Sequence, residues 1–225
     1  MEQGVFGKVL EEARRRRAEH VSRGSLSLPS NEMLIERRSA DAIRRATAWG
    51  LPPETWGITF DSFDLTGIEP SLRKAYEGVL ALVKGETYAV LLTGSPGTGK
   101  SHLAYAAANH CRIRAWPFLF RRVPDVMSEL RNAIKHGGGD QPSADDLIRM
   151  FSGEMLLVLD DLGAHQETEY ASAVLYDIVD ARYRKKLPTI ITTNHAPDAI
   201  DGRIASRFYL GTYECNGADK RRRYG

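Results

Sequence analysis

The chain has only two cysteines in 225 residues, Cys111 and Cys215. They form neither a disulfide framework nor a metal-ligand spacing, and read as unpaired thiols, buried or on the surface, in a reducing compartment. No apolar run approaches the roughly 20 residues needed to span a bilayer. Met1 to Leu10 has no long apolar stretch and no small-residue cleavage site, so the expected location is the cytoplasm, with no membrane partner. An excess of one charge is also missing. The 31 Lys and Arg against 29 Asp and Glu leave a formal net charge of +2, too small to mark a nucleic-acid binder. Basic residues cluster locally instead, at Arg14 to Arg17 and Lys220 to Arg223, as solvated tails or as DNA contacts. There is no internal repeat.

What is present suits one core domain with a small appendage: 42% hydrophobic residues over a 25.1 kDa chain, enough for a self-supporting core. Residues 1–53 are poor in apolar side chains. They read as a helical appendage and linker, with one charged segment from Val5, a Ser/Leu/Pro/Gly stretch from Ser22, and a basic helix ending near Trp49 before Pro52 and Pro53. Residues 54–225 change character. Ser71 to Lys84 has helical spacing, with Leu72, Tyr76, Val79, Leu80 and Val83 on one face. Apolar runs of strand length then alternate with amphipathic helices: Ala89–Thr93, Trp116–Arg122, Met155–Asp160, Pro188–Thr193 and Phe208–Thr212 as strands. This order predicts an α/β fold, a five-stranded parallel sheet sandwiched between helices.

The segment Gly94-Ser95-Pro96-Gly97-Thr98-Gly99-Lys100-Ser101 satisfies the P-loop pattern G-x-x-x-x-G-K-[ST], entered by a strand and left by a helix. Glycines let the backbone turn so that several N–H groups face phosphate oxygens, and the helix N-terminus adds a positive dipole. Lys100 can reach the terminal phosphates of ATP and Ser101 can ligate Mg2+; His102 completes the expected ATP-binding set. Leu156 to Asp161 is a buried strand ending in two carboxylates. Buried ionised carboxylates are costly without a cation or hydrogen-bond donors. Asp160 is therefore the expected magnesium-water ligand and Asp161 the residue that polarises the attacking water, with a turn acid as the other reading of Asp161. Asn194, after the strand Pro188–Thr193, would help orient that water beside the γ-phosphate, or else serve as a turn residue. Arg203 and Arg207, four residues apart, share one helix face. They can stabilise transition-state charge in a neighbouring subunit, or form surface salt bridges.

Taken together, these residues resemble the AAA+ ATPases, specifically the DnaC/DnaI-type helicase loaders and their IstB-like relatives. The likeness covers roughly residues 54 to 215. It includes Gly57 to Phe63 before the core, Val123 to Leu130 after the second strand, the segment LLVLDDLGA from Leu156 to Ala164, and Arg182 to Thr189 leading into Asn194. The resemblance implies an ATP-hydrolysing loader that binds a hexameric replicative DNA helicase through its appendage and delivers it to single-stranded DNA. It also implies a homo-oligomer in which Arg207 acts in trans as the arginine finger, with Arg203 at a second arginine position. By family analogy Arg131, Lys135, Thr168 and Tyr170 are candidate DNA contacts, or a solvated helix face and a packed tyrosine. About a dozen residues follow the expected fifth strand, so a C-terminal lid is not expected. A transposition helper of the IstB type and a nucleotide-gated adaptor with little hydrolysis are the alternative functions.

Overall fold

The computed structural model describes residues 48–136, 141–153, 155–163 and 169–217. Most of the appendage and the basic runs at Arg14 and Lys220 lie outside the described residues, as does Thr168. Helix α1 (Pro70–Lys84) precedes β1 (Ala89–Thr93), α2 (Lys100–Ile113) and β2 (Phe118–Arg122). Then follow α3 (Val123–His136), α4 (Ala144–Phe151), β3 (Leu156–Leu162), α5 (Glu169–Arg184), β4 (Thr189–Thr193), α6 (Gly202–Arg207) and β5 (Thr212–Glu214).

The five strands form one sheet in the order β2-β3-β4-β1-β5, and every pairing is parallel. Alternate side chains of each strand enter opposite layers, because successive residues point to opposite faces. Val90, Leu92, Phe118, Phe120, Val158 and Ile190 pack with α1 and α2. Leu91, Leu119, Leu157, Leu159 and Ile191 pack with residues of α3 to α6. The three-layer α/β sandwich expected from the apolar runs is the fold observed. At its leading edge, Leu51 is buried, the Trp49 ring meets Phe118 edge-on at 5.0 Å, and the Phe120 amide donates to the Trp49 carbonyl at 2.7 Å.

The fifth strand differs from its expected place. Phe208 to Thr212 has strand-like side chains, but Tyr209–Gly211 is a 3-10 turn and the strand runs Thr212–Glu214. Only Phe208 of the apolar trio is buried; Tyr209 and Leu210 are 83% and 92% exposed. Gly211 explains the turn: a Cβ there would lie 2.0 Å from the Ala89 carbonyl oxygen, so only glycine lets the chain meet β1 this closely.

One buried cation ties the fold together at the strand beginnings. Arg182 on α5 is fully buried, with no acidic partner among the described residues. Its guanidinium donates to the carbonyls of Phe151, Gly153, Met155 and Pro188 and to Thr189 Oγ1. Burial pushes its pKa down to about 9, which leaves it cationic at neutral pH. The planar fork of five donors suits this set of acceptors as a lysine could not.

Candidate ATP site

The P-loop joins the end of β1 to the start of α2, and its backbone explains its glycines. Gly94 has φ +129°, and a Cβ there would lie 2.3 Å from the Cys215 carbonyl oxygen. Gly99, the residue before α2, has φ +106° and offers no side-chain cap. The first-turn N–H groups of α2 are thus left for an external acceptor, which a phosphate supplies. Lys100 is buried at 5% exposure, and its Nζ donates to the carbonyls of Gly94 at 2.7 Å and Ser95 at 2.8 Å. A lysine folded onto its own loop can exchange these carbonyls for phosphate oxygens by side-chain rotation alone.

Opposite the loop, Asp160 is 6% exposed at the end of β3. Its Oδ1 accepts from Ser101 Oγ at 2.9 Å and from Thr192 Oγ1 at 2.6 Å. Burial pushes this carboxyl above the usual carboxylate range, and the two hydroxyl donors offset only part of that effect. The residues expected to ligate Mg2+, Ser101 and Asp160, are thus in hydrogen-bond contact. Among the described residues no group of three or more His, Cys, Asp or Glu could hold a metal alone. This fits magnesium, which is usually bound through one or two carboxylates plus substrate phosphates and water.

Asp161 adopts φ +65° where β3 loses register with β4 between Leu159 and Leu162. Aspartate tolerates this left-handed conformation better than bulkier residues do. Its amide donates to Thr192 Oγ1 at 3.0 Å. Its Oδ1 accepts from Asn194 Nδ2 at 3.1 Å, and its Oδ2 faces Arg122 Nη2 at 3.4 Å. Asn194 is therefore brought onto Asp161.

These groups line one cavity of about 630 Å3, which includes Pro96, Gly97, Gly99, Lys100, Ser101, His102, Asp160, Asp161, Thr192 and Asn194. The volume is within the usual range for small-molecule sites. Away from the phosphate loop it is lined by Ile58, Phe63 and Tyr105, with Ser62 and Asp64 beside them, and the His102 ring meets Phe63 edge-on at 5.3 Å. An anionic end with donors and a flat apolar end is the shape of a nucleotide. Three contributors were missed in sequence. Thr192 looks like an ordinary strand threonine, Arg122 like the solvated end of a strand, and Tyr105 like a helix-core residue.

Arg203 and Arg207 stand apart from this cavity. Both guanidinium groups lie over the Tyr176 ring, at 4.9 and 5.3 Å, so they share one face as their spacing predicts. Arg203 pairs with Asp201 at 2.7 Å and Arg207 with Asp180 at 2.9 Å. Arg207 also lies 5.8 Å from the Tyr183 ring, itself 5.9 Å from Tyr88 just before β1. That is the opposite end of β1 from the P-loop, roughly 16 Å away for five residues at about 3.3 Å each. Neither arginine lines the cavity of its own chain. Arg131 and Lys135 are exposed on α3, and Tyr170 is 49% exposed on α5.

A family model described as IstB-like ATP binding protein matches residues 51–201. The chain belongs to the DnaC/IstB-like family of AAA+ ATP-binding proteins. It is 30% identical over 182 residues to the replicative helicase loader DnaC of Escherichia coli, an alignment spanning 78% of this chain and 73% of that one. It is also 30% identical over 174 residues to a putative insertion sequence ATP-binding protein of Sinorhizobium fredii, spanning 75% of this chain and 54% of that one. A crystal structure of the DnaC helicase loader shares the fold, with a TM-score of 0.60 at 22% identity, covering 73% of this chain and 98% of that one. Among the described residues no helix is long and apolar enough to cross a membrane.

Proposed function

We propose that this protein is an ATP-hydrolysing helicase loader, which binds a hexameric replicative DNA helicase and delivers it to single-stranded DNA in the cytoplasm. The observation that carries the reading is the convergence of Lys100, Ser101, Asp160, Asp161 and Asn194 on one cavity, within a chain similar to DnaC over most of its length. Ser101 and Asp160 would hold Mg2+, which supplies charge neutralisation at the phosphates when bound. Lys100 turns from the Gly94 and Ser95 carbonyls to the β- and γ-phosphates. Asp161, fixed by its left-handed backbone and by Asn194, orients the attacking water and accepts its proton. Arg207 meets the transferring phosphoryl group from the neighbouring subunit, with Arg203 beside it, so hydrolysis is tied to assembly.

In this reading residues 1–53 bind the helicase and residues 54–225 form the ATPase domain. Arg131, Lys135, Thr168 and Tyr170 contact the DNA strand through phosphate pairing and base stacking. The second reading, a transposition helper, is favoured by the match to the IstB-like model and to the insertion sequence protein. The test is co-elution of the full chain with the host's hexameric helicase and, separately, with insertion-element transposases, with and without ATP. Helicase capture followed by ATP-dependent transfer to circular single strands is expected. Capture of a transposase with no binding to any host helicase would replace the first reading by the second.

A further inference from the structure

The helix pair α5–α6 carries more structure around Arg207 than a surface salt bridge needs. Arg207 Nε and Nη2 both donate to Asp180 Oδ1, at 3.2 and 2.9 Å, and Nη2 also donates to the Tyr176 hydroxyl at 3.0 Å. Nη1 donates to Ser206 Oγ at 2.9 Å. A guanidinium has five N–H donors; these contacts engage four and leave one, on Nη1. Asp180 is 7% exposed, and its other oxygen accepts from Arg184 at 2.6 Å. The Tyr176 ring lies beneath the plane of Arg207 and also supports Arg203. The cluster of Arg184, Arg207 and Asp180 retains a net charge of +1, so the pairing orients Arg207 without cancelling the cationic character of the group.

We infer that Asp180 and Tyr176 are positioning residues that hold Arg207 ready to donate its remaining Nη1 hydrogen and its charge to a phosphoryl group bound by a second copy of this chain. The inference rests on the reading that Arg207 acts in trans. A long side chain aimed before assembly loses less rotamer freedom on meeting its target, and a displacement of about 1 Å at a reacting centre can cost on the order of a hundredfold in rate. Asp180 is on α5, whose neighbours Arg203 and Arg207 come from α6, so the device joins two elements that the sequence separates by more than a helix turn.

The experiment is steady-state ATPase activity of Asp180→Asn and Tyr176→Phe in the full chain, on single-stranded DNA, with Arg207→Ala in parallel. Asp180→Asn keeps the shape and loses the charge; it should lower kcat roughly tenfold while leaving KM for ATP and assembly on DNA unchanged. Tyr176→Phe, which loses one donor contact, should fall less. Mixing Asp180→Asn subunits with Lys100→Ala subunits should restore turnover, because the second subunit supplies an intact Arg207 to the first one's P-loop. A merely structural Asp180 would not be rescued in this way. An unchanged kcat overturns the inference, and a raised kcat overturns it in the opposite sense, making Asp180 a restraint on Arg207. If Arg207→Ala itself leaves kcat unaltered, the trans reading fails, independently of what Asp180 does.

Discussion

Asp160 should make the nucleotide-free protein less stable than it need be. Its carboxylate is 6% exposed and has two neutral hydroxyl donors on a single oxygen, with no cation in hydrogen-bond contact among the described residues. Replacing it by asparagine keeps an acceptor for Ser101 and Thr192 and removes the buried charge. Imperfectly compensated buried polar groups cost about 1–3 kcal/mol in mutational data. Taking the low end because two donors remain, Asp160→Asn should raise stability by about 1 kcal/mol, or about 2–4 °C in a domain of this size. Mg2+ and ATP should reverse the ranking. At a ligand concentration of about a hundred times Kd the wild type gains about 2.7 kcal/mol, and the variant, lacking the carboxylate for the cation, should lose most of the magnesium-dependent share. The assay is thermal unfolding of both proteins, alone, with ATP and EDTA, and with ATP and Mg2+. A lower midpoint for the nucleotide-free variant would refute the view of Asp160 as a carboxylate under strain from burial. An unchanged magnesium-dependent gain would refute its role as a ligand.

Arg182→Met should destabilise the fold by about 3–5 kcal/mol, since five buried or partly buried acceptors lose their donor at about 1 kcal/mol each, set against relief of the guanidinium's desolvation; urea unfolding that shows a loss below about 1 kcal/mol would contradict this. His110, packed edge-on between Phe60 and Trp116, has its pKa pushed down to about 4 by burial first and by Arg114 second. Its folded value lies below the unfolded one. The stability it contributes is therefore present above about pH 6.5 and lost as the pH falls through about 4. After discounting for solvent screening at a partly buried site, His110→Phe should lessen that acid loss by about 1 kcal/mol. Parallel denaturation midpoints for the two proteins between pH 7 and 4 would count against it.

Much of this architecture is legible in the sequence because it follows from local rules. The apolar runs at Ala89–Thr93 and Leu156–Leu162 can only be buried on both faces, and the P-loop pattern requires a strand before it and a helix after it. The misplaced fifth strand shows where such rules stop: Tyr209 and Leu210 have the side chains of a strand, but the close approach of Gly211 to Ala89 fixes a turn there. Within the site, residue types at strand ends were readable, whereas their mutual contacts were not. Nothing local marks Thr192 as the hydroxyl linking Asp160 to the Asp161 backbone, because that link depends on strands 32 residues apart meeting in register. Arg182 is the same case, a cation whose acceptors come from two separate segments, Phe151–Met155 and Pro188–Thr189.

The most direct measurement of the account is ATP binding and turnover by Asp161→Asn in the presence of Mg2+ and single-stranded DNA. The Asp161 carboxylate meets Asn194 and Arg122, whereas the P-loop Ser101 donates to Asp160. Binding of ATP should therefore remain near wild type while turnover falls by roughly a hundredfold or more. Turnover at the wild-type rate would contradict the assignment of this cavity as a hydrolytic site organised around Asp161.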